Sequence, residues 1–324
     1  MREKTPALTG RDAEILFTPG RGRNTWTVYF SGKTDKGEDA GFIYRLNISS
    51  LPFGLRYLKM YDSVLSVLYM GETYVFERDY GELRKKKQLS FDKLFFEGNS
   101  SRLQGNLGLL DLAAYITGSG ADVAMNFEGR TRITQDLAHG DSFRKHKDLR
   151  QCLIIGVMDC QGLVSVGRKD HNVVGTSLME KKYLEFPKGR VGKPGIGVTN
   201  LYLVSDDGER VFRFYLAEEY ASGDEEMMFS AMEKDKVWDA AGEELETEES
   251  EPWESPHTGN VYYLTRSIKI PSLETELSVW PEIEDQEVVS GNKKEKTGEY
   301  IGIGRFEGKY RGETLKGACF LEIS

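Results

Sequence analysis

Glu180-Lys181-Lys182-Tyr183 sets a carboxyl, two ammonium groups and a phenol on four consecutive positions. Taken alone, a glutamate beside two lysines reads as a surface ion pair of small energetic value. On a strand, side chains alternate between faces, so at most one of Lys181 and Lys182 points inward. Spacing excludes other chemistry. Ser142 follows His139-Gly140-Asp141, yet no Gly-x-Ser-x-Gly elbow is present. Gly192-Lys193-Pro194-Gly195-Ile196-Gly197 lacks the strand-then-helix setting of a phosphate loop and reads as a flexible turn. His139, His146, His171 and His257 are far apart, and Cys152, Cys160 and Cys319 form no Cys-x-x-Cys pair. Nothing here calls for a metal or a cofactor, and an odd cysteine count is no disulfide framework.

The elements that must position these groups belong to a chain of 324 residues, with 43 Lys and Arg against 52 Asp and Glu and a formal charge of −9. An acidic balance argues against nucleic-acid binding, and the tract Arg84-Lys85-Lys86-Lys87 is too short to reverse it. No apolar run reaches about 18 residues, so no membrane span is expected. Met1 to Leu16 carries charges where a signal peptide needs its apolar stretch, which makes the expected compartment the cytoplasm. Thirty-five glycines against nine prolines suggest tight turns between many strands.

Strand signals dominate. Thr25-Trp26-Thr27-Val28-Tyr29-Phe30 runs through Lys33-Thr34-Asp35-Lys36-Gly37 into Gly41-Phe42-Ile43-Tyr44-Arg45-Leu46, a strand, an Asp/Gly turn and a strand. The unit returns as Val198 to Val204, Asp206-Asp207-Gly208, and Arg210 to Leu216. Gly37 and Gly208 lie 171 residues apart, so the chain reads as a duplicated β architecture. In the later unit Phe212, Phe214 and Leu216 share the packed face, with Arg213 on the face expected to be wet. Further strands are expected at Val64–Tyr69, Thr73–Arg78, Lys93–Glu97, Asp122–Phe127, Cys152–Met158 and Leu163–Val166. More follow at Met227–Met232, Tyr262–Ile270, Leu277–Val279, Gly302–Phe306 and Cys319–Ile323. Leu109–Tyr115 and Ser142–Leu149 are short helix candidates. Many short strands at hairpin spacing point to barrels or sandwiches.

Glu233 to Glu254 stands apart, with ten acidic residues against Lys234 and Lys236. Such a block reads as a solvated, self-repelling loop. Trp238 and Trp253 within it keep a second reading open, a lid or docking segment over a site.

Three C-terminal stretches carry a family resemblance. Trp253-Glu254-Ser255-Pro256-His257-Thr258-Gly259-Asn260-Val261-Tyr262 resembles the Trp-x-Ser-Pro-x-Thr-Gly-x-x-Tyr segment of AttH/CrtC-type lipocalin-domain proteins, the carotenoid 1,2-hydratase and hydroxyneurosporene synthase-like family. Ile270-Pro271 through Pro281-Glu282-Ile283-Glu284-Asp285-Gln286-Glu287 is similar to its Ile-Pro … Pro-x-x-x-Asp-Gln-Glu run. Gly304-Arg305-Phe306-Glu307-Gly308 … Gly317 to Glu322 looks like its closing strands. In the N-terminal half the tryptophan of Asn24-Thr25-Trp26-Thr27-Val28-Tyr29 sits where the family has an aromatic opening strand. At mid-chain, Gly175-Thr176-Ser177-Leu178-Met179-Glu180-Lys181-Lys182-Tyr183-Leu184 aligns with Gly-x-x-Trp-Met-Asp-His-x-Trp-Gly. There the family's Asp becomes Glu180, its His Lys181, its second Trp Tyr183 and its Gly Leu184. Fungal lipocalin-like decalin cyclases of the same superfamily often carry Asp-Lys at this point.

The resemblance implies an all-β chain of two tandem lipocalin-like (calycin) antiparallel β-barrels or sandwiches, at 1–180 and 181–324, the second with the acidic loop 233–254. It implies a long apolar ligand (isoprenoid, polyene or polyketide) that is hydrated or cyclised in a barrel or an interdomain cavity. A hydro-lyase of this kind needs a carboxylic acid kept neutral by burial, and aromatic faces that stabilise a passing carbocation. Glu180 is the expected proton donor, with Trp26, Tyr183, Tyr202 and Met179 as ligand walls. A cyclase or isomerase needs only a shaped cavity and a donor to a carbonyl, which Lys181 or Lys182 would supply. A non-catalytic carrier, or an interaction protein using its acidic segment, are the alternatives. A barrel filled by side chains would favour the last.

Overall fold

Two hairpins of one design open the two halves of the chain. β1 (Gly22–Thr34) turns into β2 (Asp39–Phe53), and β12 (Ile196–Ser205) turns into β13 (Arg210–Glu219). Gly37 and Gly208 have φ of 80° and 69°, and donate their N–H to the carbonyls of Thr34 at 2.9 Å and Ser205 at 2.7 Å. Only glycine takes this left-handed backbone without steric cost. The structure, a computed structural model, describes residues 22–53, 56–69, 73–83, 89–90, 95–105, 111–117, 121–136, 151–167, 169–185, 196–219, 223–233, 236–250, 252–291 and 296–324. It divides into two units, one within Thr5–Gly192 and one within Lys193–Ser324.

The first unit adds β3 (Arg56–Tyr69), β4 (Thr73–Glu82), β5 (Leu89–Ser90), β6 (Phe95–Glu97), β7 (Arg102–Gly105), β8 (Asp111–Thr117), β9 (Ala121–Asp136), β10 (Gln151–Val166) and β11 (Lys169–Glu185). They form one antiparallel sheet in the order β4-β3-β2-β1-β11-β10-β9-β8-β7-β6-β5. Residue 180, where the sequence reading divides the chain, lies inside β11. The second unit adds β14 (Asp224–Glu233), β15 (Lys236–Ala241), β16 (Glu246–Glu249), β17 (Trp253–Glu254), β18 (Val261–Tyr262), β19 (Arg266–Ile270), β20 (Thr275–Pro281), β21 (Glu287–Gly291), β22 (Lys296–Tyr310) and β23 (Glu313–Ile323). Its sheet runs β15-β14-β13-β12-β23-β22-β20-β19-β16, with β21 beside β22 and β17–β18 a separate hairpin. Both sheets follow one plan: the opening strand pairs on one side with its hairpin partner and on the other with the last strand of its unit.

Both sheets curl. In the second unit β15 and β16 are the two edges, yet only residues 242–245 link them. Laid flat, eight strand spacings would separate these edges by roughly 38 Å, and the linking chain reaches at most about 18 Å. In the first unit β4 is an edge, and β6 lies near the other. Asp79 on β4 meets the β6–β7 turn, accepting hydrogen bonds from Ser100 N (2.9 Å), Ser101 N (3.0 Å) and Ser101 Oγ (2.9 Å). Tyr61 donates its hydroxyl to the same carboxylate at 3.1 Å and sets its ring edge-on to Phe96 at 5.0 Å. Burial acts to raise the Asp79 pKa, but these donors outweigh it and hold the carboxyl below its usual range.

Four sequence expectations change. Residues 111–117 form β8, not a helix: Ile116 and Tyr115 pair with Val123 and Ala124, and sheet pairing overrides the helix propensity of Leu and Ala. The other helix candidate, 142–149, lies outside the described residues. Cys152–Met158 and Leu163–Val166 belong to one strand, β10, continuous through Gly162 with a register shift at Val157/Met158. Tyr262–Ile270 is broken into β18 and β19. The described residues of 233–254 include the two edge strands β15 and β16 and the first strand of the β17–β18 hairpin, where a loop was expected. Glu233 pairs with Arg210 at 3.2 Å, Glu249 with Arg266, and Glu248 with Lys269 at 3.5 Å, which offsets the self-repulsion. Trp253 packs on Tyr262 at 6.1 Å, and Arg311 lies 4.2 Å from the Trp238 ring. Charge on an exposed edge also discourages pairing with another chain.

Candidate functional site

Three strands place Glu180. On β11 it pairs with Thr27 of β1, and Thr27 pairs in turn with Arg45 of β2. Residues directly opposite in register share a face, so Glu180, Thr27 and Arg45 form one cross-strand row. Glu180 and Thr27 are 0% exposed and Arg45 5%. The next row continues the polar character, with Thr25 Oγ1 donating to Asn47 Oδ1 at 2.6 Å. The row on the other side, Leu178, Tyr29 and Ile43, is buried and largely apolar. The hydroxyl of Thr27 has no hydrogen-bond partner among the described residues. A buried polar atom without a partner costs about 1–3 kcal/mol.

The other sequence-selected residues are spread over both faces of the first sheet and over both units. Trp26 and Met179 are buried in the core cluster on the opposite face of the same sheet, because strand neighbours alternate. Tyr202 belongs to the second unit, fully buried on β12. Lys181, Lys182 and Tyr183 pair with Trp26, Thr25 and Asn24 along the strand, and their side chains lie outside the described residues. The sequence alone did not single out Arg45 or Thr27, which share the row of Glu180. The available signal for Arg45 was a lone charge inside the apolar run Phe42 to Leu46.

Aromatic side chains pack in the cores of both units. Phe30 and Phe42 stack at 5.2 Å in the first core, and Phe212 meets Phe229, Phe306 and Tyr310 within 4.9–6.1 Å in the second. A groove of about 540 Å³ lies in the first unit against Asp35, Ala124, Leu163, Asn172 and Val174, and no sequence-selected site residue is among those that line it. Among the described residues no group of three or more His, Cys, Asp or Glu is placed to hold a metal ion.

The motifs behind the family resemblance form a clamp. The Glu287 carboxylate, 6% exposed, accepts hydrogen bonds from Ser255 Oγ, from Thr258 Oγ1 at 2.5 Å and from the Tyr262 hydroxyl at 2.7 Å. Ser255 Oγ also receives the N–H groups of His257 and Thr258. Gln286 ties the same segment to Ile303, donating to its carbonyl at 3.0 Å and accepting from its N–H at 2.9 Å. His257 Nε2 sits 3.0 Å from both Asp285 oxygens at the surface. Burial, first, and the Glu287 charge raise the Tyr262 phenol, so it stays a donor.

These features define the chain as an all-β protein of two tandem lipocalin-like half-barrels. No protein-family model matches the sequence, and no curated protein matches it. Solved structures do. A protein from Nitrosomonas europaea assigned as AttH is similar over 100% of this chain and 99% of its own, at 13% identity and a TM-score of 0.75. Kievitone hydratase from Nectria haematococca is similar at 13% identity over 100% and 95%, with a TM-score of 0.67. CghA is similar at 10% identity over 94% and 88%, with a TM-score of 0.62. The likeness is one of fold, and it agrees with the AttH-type resemblance of the C-terminal motifs. Among the described residues no helix is long and apolar enough to cross a membrane.

Proposed function

We propose that the protein binds an apolar small molecule and hydrates or cyclises it, with the Glu180–Thr27–Arg45 row as the polar end of the site. The observation that carries this reading is the buried, unpartnered Thr27 hydroxyl between a carboxyl and a guanidinium, all three withdrawn from water. Two of the proteins similar in fold are a hydratase and a cyclase, which supports small-molecule chemistry of this type. In hydration, Glu180 gives its proton to an alkene carbon, water adds to the resulting cation, and the added water returns a proton to the carboxylate. The sum is alkene plus water to alcohol, and the acid is regenerated. In cyclisation no net proton moves, and Arg45 polarises a carbonyl of the folded chain.

The test is organic extraction of the protein from its native source, followed by mass spectrometry, for wild type and Glu180→Gln. A bound compound heavier than its co-extracted precursor by one water marks hydration, and an isomer of it marks cyclisation. The Gln variant should carry precursor only. Identical product on both proteins would refute Glu180, and a single unchanged compound on both would make the protein a carrier.

A further inference from the structure

Arg213 stands where the sequence pattern expects a wet face, yet it is 2% exposed. Register explains where it points. It pairs with Tyr202 of β12 and Ser230 of β14, and all three lie on the face opposite the Phe212–Phe214–Leu216 core. Its Nε donates to Asn200 Oδ1 at 2.9 Å. Its guanidinium carbon is 5.2 Å from the Tyr215 ring centre and 6.0 Å from that of Tyr202. Asn200 is in turn fixed by donating Nδ2 to Glu322 at 3.3 Å. No carboxylate pairs with Arg213 among the described residues, and its Nη1 is buried without a hydrogen-bond partner.

A buried cation is normally matched by an anion in contact with it, because withdrawal from water is costly without one. Here one nitrogen is spent on a neutral amide and two rings stack on the planar group, which fixes its orientation. Another nitrogen, Nη1, is buried without a partner among the described residues. We propose that Arg213 anchors an organic oxyanion, such as a carboxylate, carried on an otherwise apolar molecule. The apolar body is assigned by the next row on the same face, Val204, Val211 and Ala318, all buried. This concerns the second unit, and does not rest on Glu180.

The test uses decanoate as probe, with decanol as its uncharged match, followed by thermal unfolding and calorimetry on the full chain. Decanoate should stabilise the wild type saturably and decanol should not. Arg213→Gln should weaken decanoate binding by about 30-fold, the scale of one charge-assisted hydrogen bond. Arg213→Met should melt above the wild type without ligand, because it removes an unmatched buried charge while keeping the packing. The proposal is overturned if decanoate does not bind, if a folded Arg213→Gln binds it as the wild type does, or if ligand-free Arg213→Met is no more stable than the wild type. None of these readouts depends on turnover, so they leave the hydration or cyclisation reading to stand or fall separately.

Discussion

The Tyr262 hydroxyl donates to Glu287 Oε1 at 2.7 Å, joining two motifs that lie 25 residues apart in sequence. With Ser255 and Thr258 it surrounds a buried carboxylate by three hydroxyl donors. These recurrent residues of the C-terminal half therefore hold a turn against the sheet, and the residues proposed for chemistry lie in the other unit.

Removing the acceptor should cost more than removing one donor. Glu287→Ala is expected to lower stability by about 3 kcal/mol, since three buried hydroxyls lose their partner. Tyr262→Phe should cost about 1 kcal/mol. Urea unfolding of both variants decides it, and equal costs would show that the cluster does not act as one unit.

The Asp79 bridge makes the first unit sensitive to acid. Its folded-state pKa lies below the unfolded value of 3.8, so the stability it contributes is present above 3.8 and lost as the pH falls through the depressed value. Wild type should exceed Asp79→Asn in stability at neutral pH, and the gap should narrow below 3.8. A gap that stays constant over this range would exclude the linkage.

Glu218 has the opposite sign. Burial, then the charges of Glu249 and Glu225, raise its pKa above 4.5, and Arg266 only partly opposes them. Glu225 is its direct partner across β13 and β14. Ionisation of Glu218 therefore opposes folding, with the penalty absent below 4.5 and growing as the pH rises through the folded-state value. Glu218→Gln should raise the melting temperature at pH 7 and match the wild type at pH 4. A variant less stable than wild type at pH 7 would contradict this.

Gly175 and Gly32 face each other across β11 and β1. A Cβ on Gly175 would lie 2.4 Å from the Ser31 carbonyl oxygen and 2.6 Å from Gly32 Cα. Backbone cannot give way as a side chain does, so Gly175→Ala is expected to destabilise by about 3 kcal/mol. Chemical denaturation would show it. An unchanged midpoint would mean that the two strands can separate freely at this point.

The hairpins at Gly37 and Gly208 were legible because a turn and its flanking alternation are local properties. So was the all-β character. Two things were not. The sequence shows that Arg213 and Phe214 face opposite ways, but not that both faces are covered, so a buried guanidinium read as a solvated one. Glu180 was found through a motif match, whereas its neighbours Thr27 and Arg45 come from strands more than a hundred residues earlier. Pairing between distant strands leaves no trace in either one alone. The acidic block misled for a related reason: the arginines that receive Glu233 and Glu249 sit on other strands.

In each unit the opening strand lies between its hairpin partner and the last strand of that unit. During synthesis, β1 therefore emerges from the ribosome with one of its two edges unmatched, and stays so until Glu185 has been made. Such a ladder of distant partners is slow to assemble. The nascent first unit must pass through a long interval with Trp26, Val28 and Phe30 on an open strand, the period in which a chaperone has most to protect.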